Sequence, residues 1–194
     1  MVALKGHRSL IDALADLPAE ASWRCWIAGG AQTDAEQWYL RELESRVRTA
    51  GLADRVRFIG QRTDIPRIFA AADICCQPNE RAESFGIVFV EAMRAGLPVV
   101  TSALGGALEV LDQESGVLVP ANDRPALARV LRDMVADPAL RQRAGAGGPA
   151  RARALCEPVA RLRDLRTALD PLQPGHDLTA RLGGPPDPAV PGGS

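Results

Sequence analysis

The sequence predicts a doubly wound α/β domain, a single parallel sheet with helices on both faces. Three observations predict it. Short apolar runs alternate with segments of helical periodicity along the first 135 residues. The apolar runs are continuous rather than alternating, as strands covered on both faces must be. The composition is globular, with 46% hydrophobic and 24% charged residues in a chain of 194.

The elements follow in order. Residues 8–17 place Leu10, Ile11, Leu14 and Leu17 at helical spacing, and Pro18 ends that helix. Residues 23–28 form a short strand closed by Gly29-Gly30. Thr33 and Glu36 make a capping box, opening a helix that carries Leu40, Leu43, Val47 and Ala50 on one face. Gly51 stands where a C′ glycine belongs. Residues 56–60 are the next strand, and Asp64 caps a helix through Ile65, Ile68 and Phe69. Residues 73–77 are a buried strand ending at Pro78-Asn79. A helix runs from Gly86 to Ala95, stopped by Gly96 and Pro98. Residues 97–101 are a strand, Gly105-Gly106 opens a short helix through Leu108 and Leu111, and residues 116–119 are a strand. Asn122-Asp123 then caps a helix to Val135.

The end of the chain differs. From Leu140 to Ala168 seven arginines face two acids, Glu157 and Asp164. Gly145, Gly147, Gly148, Pro149 and Pro158 interrupt helices there, which spoils a continuous amphipathic helix. The segment 141–166 therefore reads as a solvated face rather than a membrane or nucleic-acid surface. From Asp170 onward Pro and Gly dominate, a composition expected to be disordered. The expected organisation is one domain, 1–168, and a tail, 169–194.

Composition excludes several classes. A net charge of −1 disfavours a nucleic-acid partner. There is no apolar run long enough for a membrane span and no charged start leading into an apolar run. Cys25, Cys75, Cys76 and Cys156 form no C-x-x-C pair, and with only two histidines no metal site is expected. The cysteines read as apolar core residues of a reduced, cytoplasmic protein. Lys5 is the single lysine, against 22 arginines.

In open α/β sheets ligands bind beyond the carboxyl ends of the strands. Four loops qualify, after Ala28, Ile59, Gln77 and Thr101, and the third is the most unusual. In it Gly86 permits close approach of a ligand, and the helix start after it is an anion site. Glu91 lies about a turn and a half into that helix between apolar neighbours. A buried carboxylate there would need hydroxyl donors, such as a ribose diol. Glu83, eight positions earlier, could meet the other end of the same ligand. The simpler readings are a Glu beside a helix dipole and a Glu facing water.

Glu83 to Glu91 is an E-x7-E element, and the wider text ESFGIVFVEAMRAGLPVVTSALGGALEVL resembles the retaining glycosyltransferases of family 4. The resemblance extends from about Met1 to about Val135. It implies the GT-B fold, two Rossmann-like domains with a nucleotide-sugar donor held in the C-terminal one. It implies that Glu91 holds the ribose hydroxyls and that Glu83 lies beside the transferred sugar. Phe85, Gly86, Ile87 and Val88 match the loop and helix start near the sugar and diphosphate. Lys5 falls at the K-G element whose lysine binds the diphosphate. Gln61 and Arg62, after Gly60, match the loop bordering the base, with Arg62 equally readable as a surface residue. Gly105, Gly106 and Glu109 match a GG-x-x-E turn, for which close backbone packing is the other reading.

The resemblance makes this chain the donor-binding half of such an enzyme, with Glu83 and Lys5 as its catalytic residues and no cofactor or metal. The donor would be a UDP- or GDP-sugar. The matching text lacks the G-R strand start that precedes the lysine, and the acceptor domain with its histidine; His7 and His176 do not stand in that place. A fragment of a longer enzyme, one half of a split enzyme with a separate N-terminal partner, and a non-catalytic nucleotide-sugar-binding module all fit. A sugar-nucleotide epimerase of the same architecture fits the E-x7-E and GG-x-x-E elements less well.

Overall fold

A computed structural model describes residues 3–169. By packing the chain divides into two compact units, Met1–Leu155 and Cys156–Ser194. The expected tail lies outside the described residues except for Leu169.

The first unit opens with a 3₁₀ turn, Ala3–Lys5, and then α1 (His7–Ala15), β1 (Cys25–Ala28), α2 (Asp34–Thr49), β2 (Val56–Gly60) and α3 (Ile65–Ala70). It continues with β3 (Cys75–Gln77), α4 (Ile87–Arg94), β4 (Val99–Ser102), α5 (Ala107–Val110) and β5 (Gly116–Val119). Three helices close it: α6 (Arg124–Ala136), α7 (Pro138–Gly145) and α8 (Gly148–Leu155). The second unit contributes α9 (Pro158–Leu169), where Arg161 pairs with Asp164 at 3.1 Å. The expected breaks fall between helices, with Asp137 capping α7 through the N–H of Ala139.

All strand pairs are parallel, as the continuous apolar runs require. The five strands hydrogen-bond as two groups, β1 with β2 and β3-β4-β5, rather than as one continuous sheet. Side chains alternate across the three-stranded part. Val100 and Val119 pack with Ile11, Leu14, Leu43, Leu127 and Met134 on one face. Val99 packs with Phe89, Met93, Val110 and Ala152 on the other. Full burial of a side chain such as Ile11, Leu43 or Phe89 contributes about 1.5–3 kcal/mol.

Arginines tie α1 to its neighbours. Arg8 Nε donates to Glu42 of α2 at 2.8 Å, and Arg46 of α2 grips both oxygens of Asp12 at 2.6 Å. Arg124 Nε, at the start of α6, donates to Asp16 at 2.6 Å. The Arg8 guanidinium holds the Glu42 carboxyl below the usual carboxylate range, and Arg124 does the same for Asp16. Such partly exposed pairs add little stability each, but their fork geometry orients α1 and hence Lys5 just ahead of it.

The capping box on α2 is present in both halves: Thr33 Oγ1 accepts from the Glu36 N–H, and Glu36 accepts from the Thr33 N–H. Thr33→Ala should cost about 1 kcal/mol, read as a lower melting midpoint in urea with an unchanged m-value. Three local expectations need correction. Ala50 is exposed at the C-cap, and Tyr39 joins Leu43 and Val47 on the buried face, an i, i+4, i+8 stripe. Asp64 does not cap α3; Arg62 occupies both of its oxygens, at 2.8 and 2.7 Å. Strands β1, β3 and β4 begin two residues later than the apolar runs suggest.

Candidate functional site

The site gathers at the carboxyl ends of β1, β2 and β3, and Gly6 sets its geometry. Its φ is +72°, and a Cβ there would overlap the carbonyl oxygen of Pro78 just after β3. The backbone of the 3₁₀ turn therefore lies directly on the β3 loop, where the N–H of Glu80 donates to the carbonyl of Leu4 at 3.0 Å. That close approach brings Lys5 to Glu83, and the two side chains form an ion pair although 78 residues separate them. Both are half-buried.

The backbone of Glu83 is held from another side. Its carbonyl accepts from the Gly106 N–H at 2.8 Å, and Glu83 bridges Gly105 in parallel fashion. A Cβ at Gly105 would stand 2.6 Å from that carbonyl, and one at Gly106 would overlap the carbonyl of Ser84. Close backbone packing is thus what the two glycines provide. Glu109 is exposed on α5.

Gly86 caps α4 at φ +79°, where a side chain would collide with the ring of Phe89. No side chain caps this helix, so its first N–H groups stay available as an anion-binding end. Phe85 and Ile87 are 42% and 68% exposed beside it.

A cleft of about 600 Å³ opens next to these groups. Lys5, Gln61, Arg62, Val88 and Glu91 line it together, as do Ile65, Ile68 and Phe69 of α3. Glu83 reaches this group through Lys5, while Phe85, Gly86 and Ile87 lie outside its lining. Gln61 accepts from Gln32 Nε2 at 3.4 Å, and Arg62 is engaged by Asp64. Among the described residues no three His, Cys, Asp or Glu side chains cluster as a metal site would need.

Glu91 takes the simpler of its two readings, a helix glutamate that faces outward. It is exposed, not buried, because Val90, Ala92 and Met93 turn the apolar face of α4 inward and leave Glu91 at the cleft. Its charge still reaches β3. Burial, and secondarily the Glu91 carboxylate, pushes the Cys75 thiol up to about 12. Burial likewise raises Cys25 to about 12 and Cys76 well above its usual value. Cys25, Cys75 and Cys76 are half-buried against the core, and Cys156 is exposed, which corrects the reading of it as a core residue. Gly6 was legible only as the partner of Lys5 in the K-G element; its role as the contact that seats Lys5 needs the fold.

The parallel α/β unit has the fold of GT-B glycosyltransferases, with an ion-paired lysine and glutamate at its strand ends beside an uncapped helix start. The family model described as Glycosyl transferases group 1 matches residues 1–151, and the chain belongs to that family. It is 35% identical over 151 residues to the lipopolysaccharide core biosynthesis mannosyltransferase LpsB of Rhizobium meliloti, covering 76% of this chain and 42% of LpsB. It is 46% identical over 110 residues to the phosphatidyl-myo-inositol mannosyltransferase of Mycobacterium leprae, covering 55% of this chain and 29% of that one. The crystal structure of Anabaena HepE in complex with UDP and glucose superposes with a TM-score of 0.79 at 32% identity, over 87% of this chain and 46% of HepE. The C-terminal domain of a group 1 glycosyl transferase (LpcC) from Francisella tularensis superposes at 0.71 with 28% identity, over 79% of this chain and 80% of that domain. The chain spans less than half the length of the two mannosyltransferases and of HepE. No helix among the described residues is long and apolar enough to cross a membrane.

Proposed function

We propose that this chain is the donor-binding half of a retaining, metal-independent glycosyltransferase that takes a nucleoside diphosphate sugar. The observation that carries the reading is the Lys5–Glu83 pair at the end of a cleft that Glu91 also lines. Glu91 accepts the ribose hydroxyls of the donor. The Lys5 ammonium leaves Glu83 for the diphosphate, joined by the first N–H groups of α4, and the two stabilise charge that develops on the leaving group. Glu83, released from Lys5, positions the sugar beside the bond that breaks. Gln61 borders the base, and Arg62, tied to Asp64, forms the rim beside it. The sugar then passes to an acceptor hydroxyl with its configuration kept. UDP in HepE supports UDP as the nucleotide, and GDP is the alternative.

A second reading, which the family resemblance also allows, is a non-catalytic nucleotide-sugar-binding module or one subunit of a split enzyme. A thermal-shift panel of UDP, GDP, ADP and their sugar conjugates tests the common core of both. A nucleotide at about 100 times its dissociation constant adds roughly 2.7 kcal/mol of stability. For a chain of this size that raises the melting temperature by about 5–10 °C. A cooperative melt that no nucleotide moves would overturn donor binding. Turnover regained on adding a polypeptide with the acceptor half would separate the split enzyme from the non-catalytic module.

A further inference from the structure

The loops after β1 and β2 are fastened to each other just beyond the strand ends. The N–H of Gly29, one residue past β1, donates to the carbonyl of Gly60 at 2.9 Å. From there the β1 loop runs to the start of α2, where Glu36 fixes it. Glu36 Oε2 accepts from the N–H of Gln32 at 2.8 Å and from that of Thr33 at 3.2 Å. The backbone of Gln32 is therefore tied to the first turn of α2, and its side chain crosses to the β2 loop. There Gln32 Nε2 donates to Gln61 Oε1 at 3.4 Å. Gly30 lies against the same oxygen: a Cβ on it would come within 3.2 Å of both Oε1 and Cβ of Gln61. Two separate contacts thus turn Gln61 Oε1 to the β1 loop.

This arrangement decides what Gln61 offers to a ligand. A glutamine amide carries an acceptor oxygen at one end and two N–H donors at the other, and a half-turn exchanges them. Gln61 lines the cleft, and Gln32 stands outside its lining. With Oε1 turned to the β1 loop, the Nε2 donor pair is the end left for the cleft. Arg62, next along the rim, also carries only donors. Both oxygens of Asp64 are engaged by that guanidinium, at 2.8 and 2.7 Å. The rim at residues 61 and 62 therefore presents N–H groups. Nucleobases divide on this chemistry. Uracil has a keto oxygen at C4 and guanine has one at C6, where cytosine and adenine have an amino group. An N–H donor forms a hydrogen bond with the keto oxygen. Against the amino group it faces a second donor, and both stay unpaired.

We propose that Gln32 is a positioning residue that sets the donor end of Gln61 toward the cleft, so that the site takes nucleotides with a keto base, uracil or guanine, and rejects those with an amino base, cytosine or adenine. This rests on the reading of the cleft as the donor site with Gln61 at the base. Gln32 acts through Gln61 and does not touch the nucleotide. Its replacement therefore changes which base fits. Gln32→Ala leaves Gln61 able to turn either end to the cleft. Gln32→Glu goes further. A carboxylate only accepts, so it takes an N–H from Gln61, and the amide turns over to present Oε1 to the cleft. The preferred base then changes class.

Calorimetric titration of the full chain with UDP, CDP, GDP and ADP tests it. UDP and CDP share ring size, sugar and diphosphate, so the ratio of their affinities isolates the edge of the base. The parent chain should bind UDP about tenfold more tightly than CDP, and GDP more tightly than ADP by a similar factor. Gln32→Ala should make UDP and CDP bind about equally. Gln32→Glu should weaken every nucleotide, because it adds a negative charge to a site for an anion, and should favour CDP over UDP. A merely structural role for Gln32 would weaken all four alike and keep the ratio, so a UDP preference unchanged in both variants would overturn the assignment. Equal binding of UDP and CDP by the parent chain would overturn base selection and leave the donor reading standing. Binding of none of the four by a chain that melts cooperatively would overturn the donor reading and this inference with it.

Discussion

Glu91→Ala should abolish nucleotide stabilisation while leaving the free chain folded. Glu91 is exposed on α4, and no neighbour depends on it for packing. Surface changes of this kind usually shift stability by less than about 0.5 kcal/mol. The melting temperature without ligand should therefore stay within about 2 °C of the parent. The ligand-induced rise of roughly 5–10 °C should vanish, because a ribose diol loses a charged acceptor. Glu91→Gln keeps the shape and half of the accepting capacity, so a reduced rise is expected from it. An undiminished shift in Glu91→Ala would remove the residue from the donor site. A free chain that no longer melts cooperatively would point to a structural role instead.

Gly6→Ala should be among the most damaging single changes in the chain. Two costs combine. The residue sits at φ +72°, where an alanine is strained, and its Cβ would overlap the Pro78 carbonyl. Backbone gives way less readily than a flexible side chain, so the β3 loop or the 3₁₀ turn must move. The expected loss is about 3 kcal/mol or more, a fall of roughly 6–12 °C in melting temperature. Gly51→Ala is the control. It has a similar φ of +70° but open space around it. It should show only the conformational cost, about 1 kcal/mol. Equal losses at the two glycines would mean that Pro78 yields freely and does not seat Lys5.

The sequence made most of the helices legible because their boundaries are local chemistry. Thr33 with Glu36, Asp123 before Pro125 and Gly51 after α2 act within a turn of the residues they organise. Tyr39 was missed because periodicity alone favours aliphatic residues, whereas its burial depends on His7 and Arg8 from α1 packing on its ring. Asp64 looked like a cap because position alone cannot tell which partner a carboxylate prefers. Arg62, two residues away, offers it a charged fork. At the site, the grouping of Lys5 with Glu83 followed from the family pattern, while its physical cause, the contact of Gly6 with Pro78, is tertiary. The exposure of Glu91 agrees with the simpler reading of a helix glutamate facing water, because apolar neighbours in sequence point elsewhere on a helix. The break between β1 and β3 left no trace in local pattern, since a strand's composition does not record whether both edges are paired.

The clamp between the Gly105-Gly106 turn and Glu83 also bears on how such a site can diversify. It fixes main chain through main chain, so the backbone of Glu83 is held without help from side chains, while its carboxylate pairs with Lys5. Phe85 and Ile87, in the same stretch, carry exposed side chains that the core does not need. Natural drift can therefore rework the apolar surface beside Glu83 while the main chain that carries its charge stays in place. Those two positions can change without rebuilding the loop that holds Glu83.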